Sequence, residues 1–429
     1  MGDSMSSLGA DRCPRRRVVI TGLGAISPVG GTAPETWASF VAGRSGVARV
    51  ESFDVSPYPA KIAAEVKGFD PVAHIDAKEA RRMARNSQFA VVAAREAVVD
   101  AGLDMAAEDR ERFGVVLGTG IGGIDVILDP IGRMYSHGAV RVTPHQAIEH
   151  LSNMAAFHVG LEHGCLGPLS TVVTACAAGT QALGEGTEWI RRGAADVVLA
   201  GGTEAQVNFL FFSGFSAMRV LSSRNDEPER ASRPFDADRD GFVIGEGAAI
   251  MVLESLEHAE ARGARIYAEV LGQAASADAY HIAQPDASGA GPARCMRWAL
   301  ADAGLAPEAI DYINAHGSAT VQNDVAETVA IKRVFGEHAY RVMVNSTKSM
   351  IGHCFGGAGA LEALATVMSV ATDVVHPTIN LERPDPACDL DYVPREARHR
   401  TVRAALANSF GLGGQNACLV VGKYPSLRS

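Results

Sequence analysis

The chain has 429 residues, of which 47% are hydrophobic and 21% charged, and carries a formal net charge of −10 at pH 7. That length exceeds one small core and suits two domains or two fused halves, and the composition rules out wholesale disorder. The acidic balance argues against a general nucleic-acid binder, and with no run of about 18 apolar residues a membrane partner is not expected either. The seven cysteines are scattered, odd in number and without a CxxC pair, and Met1 to Arg17 is polar with no apolar signal core. The expectation is free thiols in a reducing, cytoplasmic compartment.

Residues 1–16 read as a disordered leader, and order begins with Arg17-Val-Val-Ile-Thr-Gly22, a β-branched strand that glycine should stop. Residues 79–100 have helical spacing, with Gly102 just beyond as the stop. Phe113 to Leu117 is a strand. The following Gly118-Thr-Gly-Ile-Gly-Gly123 matches GxGxxG, but no strand ending in an acid lies about 20 residues on, so a tight turn is expected rather than a dinucleotide site. Thr171 to Thr174 is a strand, and residues 177–192 form a small-residue helix closing on Arg191-Arg192-Gly193. Asp196 to Ala200 is again a strand. Asp236-Ala-Asp-Arg-Asp-Gly241 opens like a calcium loop, yet its closing position falls on Gly247 and Pro234 interrupts the lead-in helix, so it reads as a polar turn. Ile266 to Leu271 begins what looks like a second pass. Such alternation predicts an α/β fold. Two strand–loop–helix units, Thr171 to Ala182 and Val342 to Ala365, hint at an internal duplication.

Cys176 sits where a strand gives way to a helix, whose free N–H groups and positive dipole end would stabilise a thiolate and an adjacent oxyanion. It reads either as that nucleophile or as an inert buried thiol. His316, in Asn-Ala-His-Gly-Ser, and His353, ahead of a glycine-rich helix, each read alone as core histidines. Together with Cys176 they make a set able to attack a carbonyl and to donate to a developing enolate. Their spacing does not fit a zinc site, so no metal is expected. Lys78, Arg81 and Arg82 form a basic cluster, either a solvated helix face or a dock for an acidic partner.

Five motifs, in order, carry a family resemblance. They are Val172-Val-Thr-Ala-Cys176-Ala-Ala-Gly-Thr180, Arg233-Pro-Phe-Asp-Ala-Asp-Arg-Asp-Gly-Phe-Val-Ile-Gly-Glu-Gly247, His316-Gly-Ser-Ala-Thr-Val-Gln-Asn-Asp324, Ser346-Thr-Lys-Ser-Met-Ile-Gly-His353 and Asn408-Ser-Phe-Gly-Leu-Gly-Gly414. From about Arg17 to Lys423 the chain resembles a β-ketoacyl-acyl carrier protein synthase, in the elongating branch of the thiolase-like condensing enzymes. The resemblance implies an α/β, duplicated five-layer αβαβα fold, with the nucleophile in residues 17–262 and both histidines in 263–425. It implies that Cys176 takes an acyl chain from a carrier protein and condenses it with malonyl-carrier protein, while His316 and His353 stabilise the enolate. The oxyanion hole would use the backbone N–H groups of Cys176 and Leu412, with Phe410 beside that gate. Lys348 would pair with Glu327 and orient the histidines, and Asp324 and Glu362 would support the site. Ser318 and Thr320 would hold phosphopantetheine, and Ile121, Gln146 and Phe215 would line the acyl pocket. Lys78, Arg81, Arg82, Arg141 and Arg219 would dock the acidic acyl carrier protein. No bound cofactor is implied, because phosphopantetheine carries the substrates, and the partner is a second copy or a chain-length-factor-like subunit.

The chain departs from the family's usual pattern at several places. Ser318 replaces a threonine but keeps the hydroxyl, Ala283 stands where threonine is common, and Leu412 replaces a gating phenylalanine. His145, Gln146, Glu149 and His150 replace a mostly apolar stretch at the far end of the acyl pocket. These changes favour a polyketide or polyene ketosynthase over a fatty-acid elongation synthase II. A non-catalytic chain-length subunit would lack the nucleophile, and a biosynthetic thiolase would use a second cysteine as base, for which neither Cys354 nor Cys418 has the motif.

Overall fold

The computed structural model describes residues 15–138 and 142–425; most of the expected leader, and Arg141, lie outside the described residues. Arg15 and Arg16, assigned above to the leader, are tied down by ion pairs to Asp302 (2.6 Å) and Asp196 (2.7 Å).

Ten strands form one sheet: β1 (Val18–Ile26), β2 (Phe113–Gly118), β3 (Leu169–Val172), β4 (Val197–Ala205), β5 (Glu246–Ser255), β6 (Ala268–Ala277), β7 (Tyr312–Asn314), β8 (Met343–Asn345), β9 (Ala404–Gly411) and β10 (Gln415–Gly422). Their order is β8-β7-β9-β10-β6-β1-β5-β4-β2-β3. Outward from the β1–β6 junction, each side runs first strand, fifth, fourth, second, third. The senses match as well. The first–fifth and fifth–fourth pairs are antiparallel, and the fourth–second and second–third pairs are parallel, on both sides. The duplication hinted at by two units of sequence is therefore a duplication of the whole topology.

Helix α1 (Arg85–Ala101) covers β1, β4 and β5, while α4 (Ala290–Ala303) covers β6 and β10, with α5 (Val321–Phe335) packed against α4. Between the halves lie α2 (Ala178–Arg191) and α6 (Ala358–Thr372), which touch each other and strands of both halves. Small residues let them approach: a Cβ on Gly179 would sit 2.7 Å from Ala360 N, and one on Gly359 2.4 Å from Thr180 Oγ1. The result is the five-layer αβαβα stack. Residues Phe355–Thr372 meet the length and apolarity of a membrane span, contrary to the reading of the sequence, but 83% of that stretch is buried as this central layer.

Two expected elements change for tertiary reasons. The strand thought to stop at Gly22 runs on to Ile26. Gly22 and Gly24 are there because a Cβ would strike the carbonyl oxygens of Ala97 (2.2 Å) and Ala93 (1.9 Å) on α1. The helix expected over 79–100 is split into Ala77–Ala80 and α1. Arg85 N–H donates to Asp125 (3.2 Å), so α1 is capped by a carboxylate from a distant segment. Gly102, at φ +64, ends α1 as expected.

Candidate active site

One cavity of about 540 Å³ is lined by Cys176, His316 and His353 together with Phe355, Phe410 and Leu412. The three chemically expected side chains, Cys176 lying 140 residues before the nearer histidine, converge because each follows a strand of the shared sheet or leads into a central helix.

Cys176 lies in the turn Ala175–Ala177 that runs into α2. Ala175 takes φ +50, a left-handed conformation that a Cβ disfavours. Burial pushes the Cys176 thiol up to about 11, opposed by Lys348 and by the Leu412 N–H that donates to it. The helix terminus alone therefore does not make a resting thiolate. The Leu412 N–H is brought close because a Cβ on neighbouring Gly411 would sit 2.7 Å from Thr174 O.

His316 follows β7, and its backbone N–H donates to Glu327 (2.9 Å). His353 follows the turn Lys348–Ile351, and its N–H donates to Val243 O (2.7 Å). The rings stand edge to face, 5.4 Å apart. Burial first, then Lys348, holds both imidazoles well below the usual histidine range, with His353 adding to the effect on His316. The Lys348 ammonium, 3.3 Å from His316 Nδ1, is a donor to it, and Phe355 N–H donates to His353 Nδ1 (3.2 Å). With each Nδ1 accepting, the single proton of each neutral ring sits on Nε2.

The expected Lys348–Glu327 pair is not formed. Lys348, 1% exposed, pairs with Glu362 and also donates to His316 O (2.7 Å). Glu327 accepts instead from the N–H groups of His316 and Gly317 (2.8 Å) and from Asn408 Nδ2 (3.3 Å). The reason is packing: Glu362 projects from the central helix α6 toward Lys348, whereas Glu327 on α5 is used up by the loop after β7. Asp324 supports a different segment, accepting from Phe235 N–H (2.9 Å) and facing Arg239 (3.3 Å). Burial pushes Glu327 and Glu362 up to about 7 and Asp324 to about 6, each partly offset by those donors.

Ser318 and Thr320 line the cavity, with their hydroxyls 3.0 Å apart, and Arg219 and Ala283 lie at its mouth with the partly exposed Leu412. Phe215 lines the cavity, but neither Ile121 nor Gln146 does. Gln146 turns back on its own loop, accepting from Thr143 N–H (3.0 Å), and Ile121 O accepts from Ser152 (3.0 Å). Glu149 is buried against His158 (2.9 Å) rather than facing this cavity. Lys78 and Arg81 are exposed, and Arg82 is paired with Glu79 (2.9 Å); none of the three lines the cavity.

The glycine loop after β2 is filled from within. The Glu204 carboxylate accepts from Gly120 N–H (2.5 Å), Thr119 Oγ1 (3.0 Å) and Gly356 N–H (3.1 Å), so those amides hold a side chain of the protein and not a phosphate. Sequence reading missed Glu204; an acid closing the apolar run of β4 was its only signal. Asp236 is likewise spent on the N–H groups of Asp238, Glu382 and Arg383, each at 2.8 Å, which explains why the calcium-like turn is a structural clasp.

The Beta-ketoacyl synthase N-terminal domain model matches residues 15–259 and the C-terminal domain model residues 267–382. The chain is 49% identical to the 3-oxoacyl-[acyl-carrier-protein] synthase 2 of Synechocystis sp. over 96% of its own length and 99% of the relative's. It is 46% identical to that of Coxiella burnetii, over 95% and 99%. Among solved structures it resembles the ishigamide ketosynthase/chain length factor, at 39% identity and a TM-score of 0.90, covering 96% of this chain and 100% of that one. It also resembles a type II PKS acyl-carrier protein complex with its ketosynthase bound to the hexaketide, at 38% identity and a TM-score of 0.88, covering 95% and 99%. With models of both domains matched and relatives aligned end to end, the chain belongs to the beta-ketoacyl synthase family.

Proposed function

We propose that this chain condenses a Cys176-bound acyl group with a malonyl group on acyl carrier protein, giving a β-ketoacyl-carrier protein. The observation that carries the reading is the shared cavity in which Cys176 meets two neutral imidazoles, both protonated on Nε2. In the first half-reaction the Cys176 sulfur attacks the acyl thioester, its proton leaving with the pantetheine thiol. The N–H groups of Cys176 and Leu412 hold the tetrahedral oxyanion. In the second, the bond from the malonyl α-carbon to its carboxylate breaks and CO₂ departs. The electron pair remains as an enolate whose oxygen accepts from His316 and His353. The α-carbon then attacks the acyl carbonyl, and the Cys176 thiolate leaves and is reprotonated. Neutral donors suit this step, since they stabilise the enolate without a second buried charge beside Lys348.

On this reading the nucleophile belongs to an N-terminal half, 17–262, and the histidines to a C-terminal half, 263–425, and the substrates arrive on phosphopantetheine past Ser318 and Thr320 with no bound cofactor. Arg219 at the mouth and the basic cluster at Lys78, Arg81 and Arg82 face the acidic carrier protein, and the working unit is a dimer in the cytoplasm.

We assign the activity to polyketide or polyene assembly, supported by the smaller gate Leu412 beside the cavity. Fatty-acid elongation is the second reading, favoured by the higher identity to the Synechocystis synthase. Intact-mass measurement with a panel of saturated and polyunsaturated acyl-carrier proteins tests both. An adduct that vanishes in Cys176→Ala, with condensation abolished, is expected; condensation retained by that variant would refute the mechanism. The preferred chain decides the pathway.

A further inference from the structure

Three features of Phe355 converge on His353. Phe355 has φ +44, a left-handed conformation for a residue with a large side chain. Its N–H is the donor to His353 Nδ1 (3.2 Å), and its ring stacks on the imidazole at 5.0 Å and 22°. The opposite neighbour of the ring is Phe215, stacked at 5.4 Å and 13° on the cavity wall carried by α3 (Phe209–Met218). Phe242 closes the group edge-on, 5.4 Å from His353 and 6.0 Å from Phe355.

The backbone on both sides is fixed. His353 O accepts from Gly245 N–H (2.9 Å), and Gly356 N–H donates to Glu204 (3.1 Å). A Cβ on Gly356 would lie 2.3 Å from Gly120 N, and one on Gly357 2.5 Å from Gly247 O. Between these clamps the left-handed turn at Phe355 is held, and with it the direction of both its N–H and its ring.

We propose that Phe355 is a positioning residue for the condensation: it holds the His353 ring flat with its proton on Nε2 and ties that ring to the Phe215 wall of the acyl pocket. The inference rests on the decarboxylating reading above and adds to it a residue whose hydrogen bond and ring stacking are directed at His353. Because Cys176 has its own donor in Leu412 N–H, loss of the Phe355 ring should spare acyl transfer and damage the malonyl step.

The test separates the two half-reactions in wild type, Phe355→Leu and Phe355→Tyr. Acylation of Cys176 is followed by intact mass, and CO₂ release from malonyl-acyl carrier protein by a coupled assay. In Phe355→Leu, acylation should stay within about twofold of wild type while kcat for CO₂ release falls on the order of 10- to 100-fold, with KM little changed. Phe355→Tyr, which keeps a ring to stack, should recover most of that loss. The proposal is overturned if Phe355→Leu lowers both half-reactions in proportion, if it lowers neither, or if the tyrosine variant falls as far. Should Phe355→Leu prove unfolded by thermal melt, Phe355→Met, which keeps the volume without the ring, decides: loss confined to CO₂ release supports the proposal, and equal or no loss overturns it. A wild-type protein that accepts acyl chains but releases no CO₂ would overturn the functional reading and this inference together.

Discussion

The turn that presents the nucleophile and the turn that follows His353 are two copies of one device. Each starts with a non-glycine residue in the left-handed region, Ala175 at φ +50 and Phe355 at φ +44. Each makes a three-residue tight turn, Ala175–Ala177 or Phe355–Gly357, and runs into a central helix at Ala178 or Ala358. The second position is Cys176 in one copy and Gly356 in the other. In the N-terminal copy that position opens on the cavity and carries the thiol. In the C-terminal copy it lies against the loop after β2, where no side chain fits, and the chemistry has moved three residues upstream to His353. One backbone geometry, duplicated, does two jobs according to which residue has room for a side chain. There is also an asymmetry of cost: among the described residues the buried ion pair of Lys348 with Glu362 hydrogen-bonds to the histidine side of the site, at His316, and not to Cys176.

Breaking that asymmetry should have the largest effect. Lys348→Met leaves the Glu362 carboxylate buried and uncompensated, which should cost about 3–5 kcal/mol in urea unfolding and remove the donor to His316 Nδ1. Adding Glu362→Gln should recover much of the stability but not the condensation rate; recovery of both would show that the pair serves packing alone. Restoring a side chain at the second position is a milder test. Gly356→Ala should destabilise by about 1–3 kcal/mol, because its Cβ meets backbone of Thr119 and Gly120. An unchanged melting midpoint would mean that the loop after β2 yields, and that the two copies are less constrained than their geometry implies.

The mildest difference between the two turns is one of pH dependence. His353 is held neutral in the fold, its pKa well below 6.5, while in the unfolded chain it takes up a proton as pH drops below 6.5. Its contribution is therefore fully present above pH 6.5 and lost as pH falls through the window beneath it. His353→Gln should flatten the stability–pH curve below pH 6.5 by up to about 1.4 kcal/mol per pH unit relative to wild type. Identical slopes in the two proteins would show that His353 is not the buried neutral group.

The alternation of strands and helices was legible because burial on both faces leaves near-continuous apolar runs, and Gly102 was legible as a stop because its role is local. Cys176, His316, His353, Lys348 and Leu412 were legible as a set through five ordered motifs. The partner of Lys348 was not: Glu327 and Glu362 are both buried acids near it, and only the crossing of α6 selects Glu362. The resemblance assigns Gln146 and Ile121 to the acyl pocket; neither lines the cavity around Cys176, Gln146 accepting from Thr143 and the Ile121 carbonyl from Ser152. Glu204 and Phe355 escaped notice because a lone acid at a strand end and a lone phenylalanine before two glycines have no periodic or spacing signature.

Residue order alone sets the local conformational menu and the chemistry on offer: the α/β alternation, the helix stops, the thiol and the two imidazoles. Those depend on residues within a turn or two of one another. Tertiary structure alone decided which amides Glu204 would satisfy, where α1 would be capped, which carboxylate Lys348 would meet, and on which nitrogen each histidine would keep its proton. Those outcomes depend on close approach between segments tens to hundreds of residues apart, where a single Cβ or carbonyl oxygen settles which contact can form.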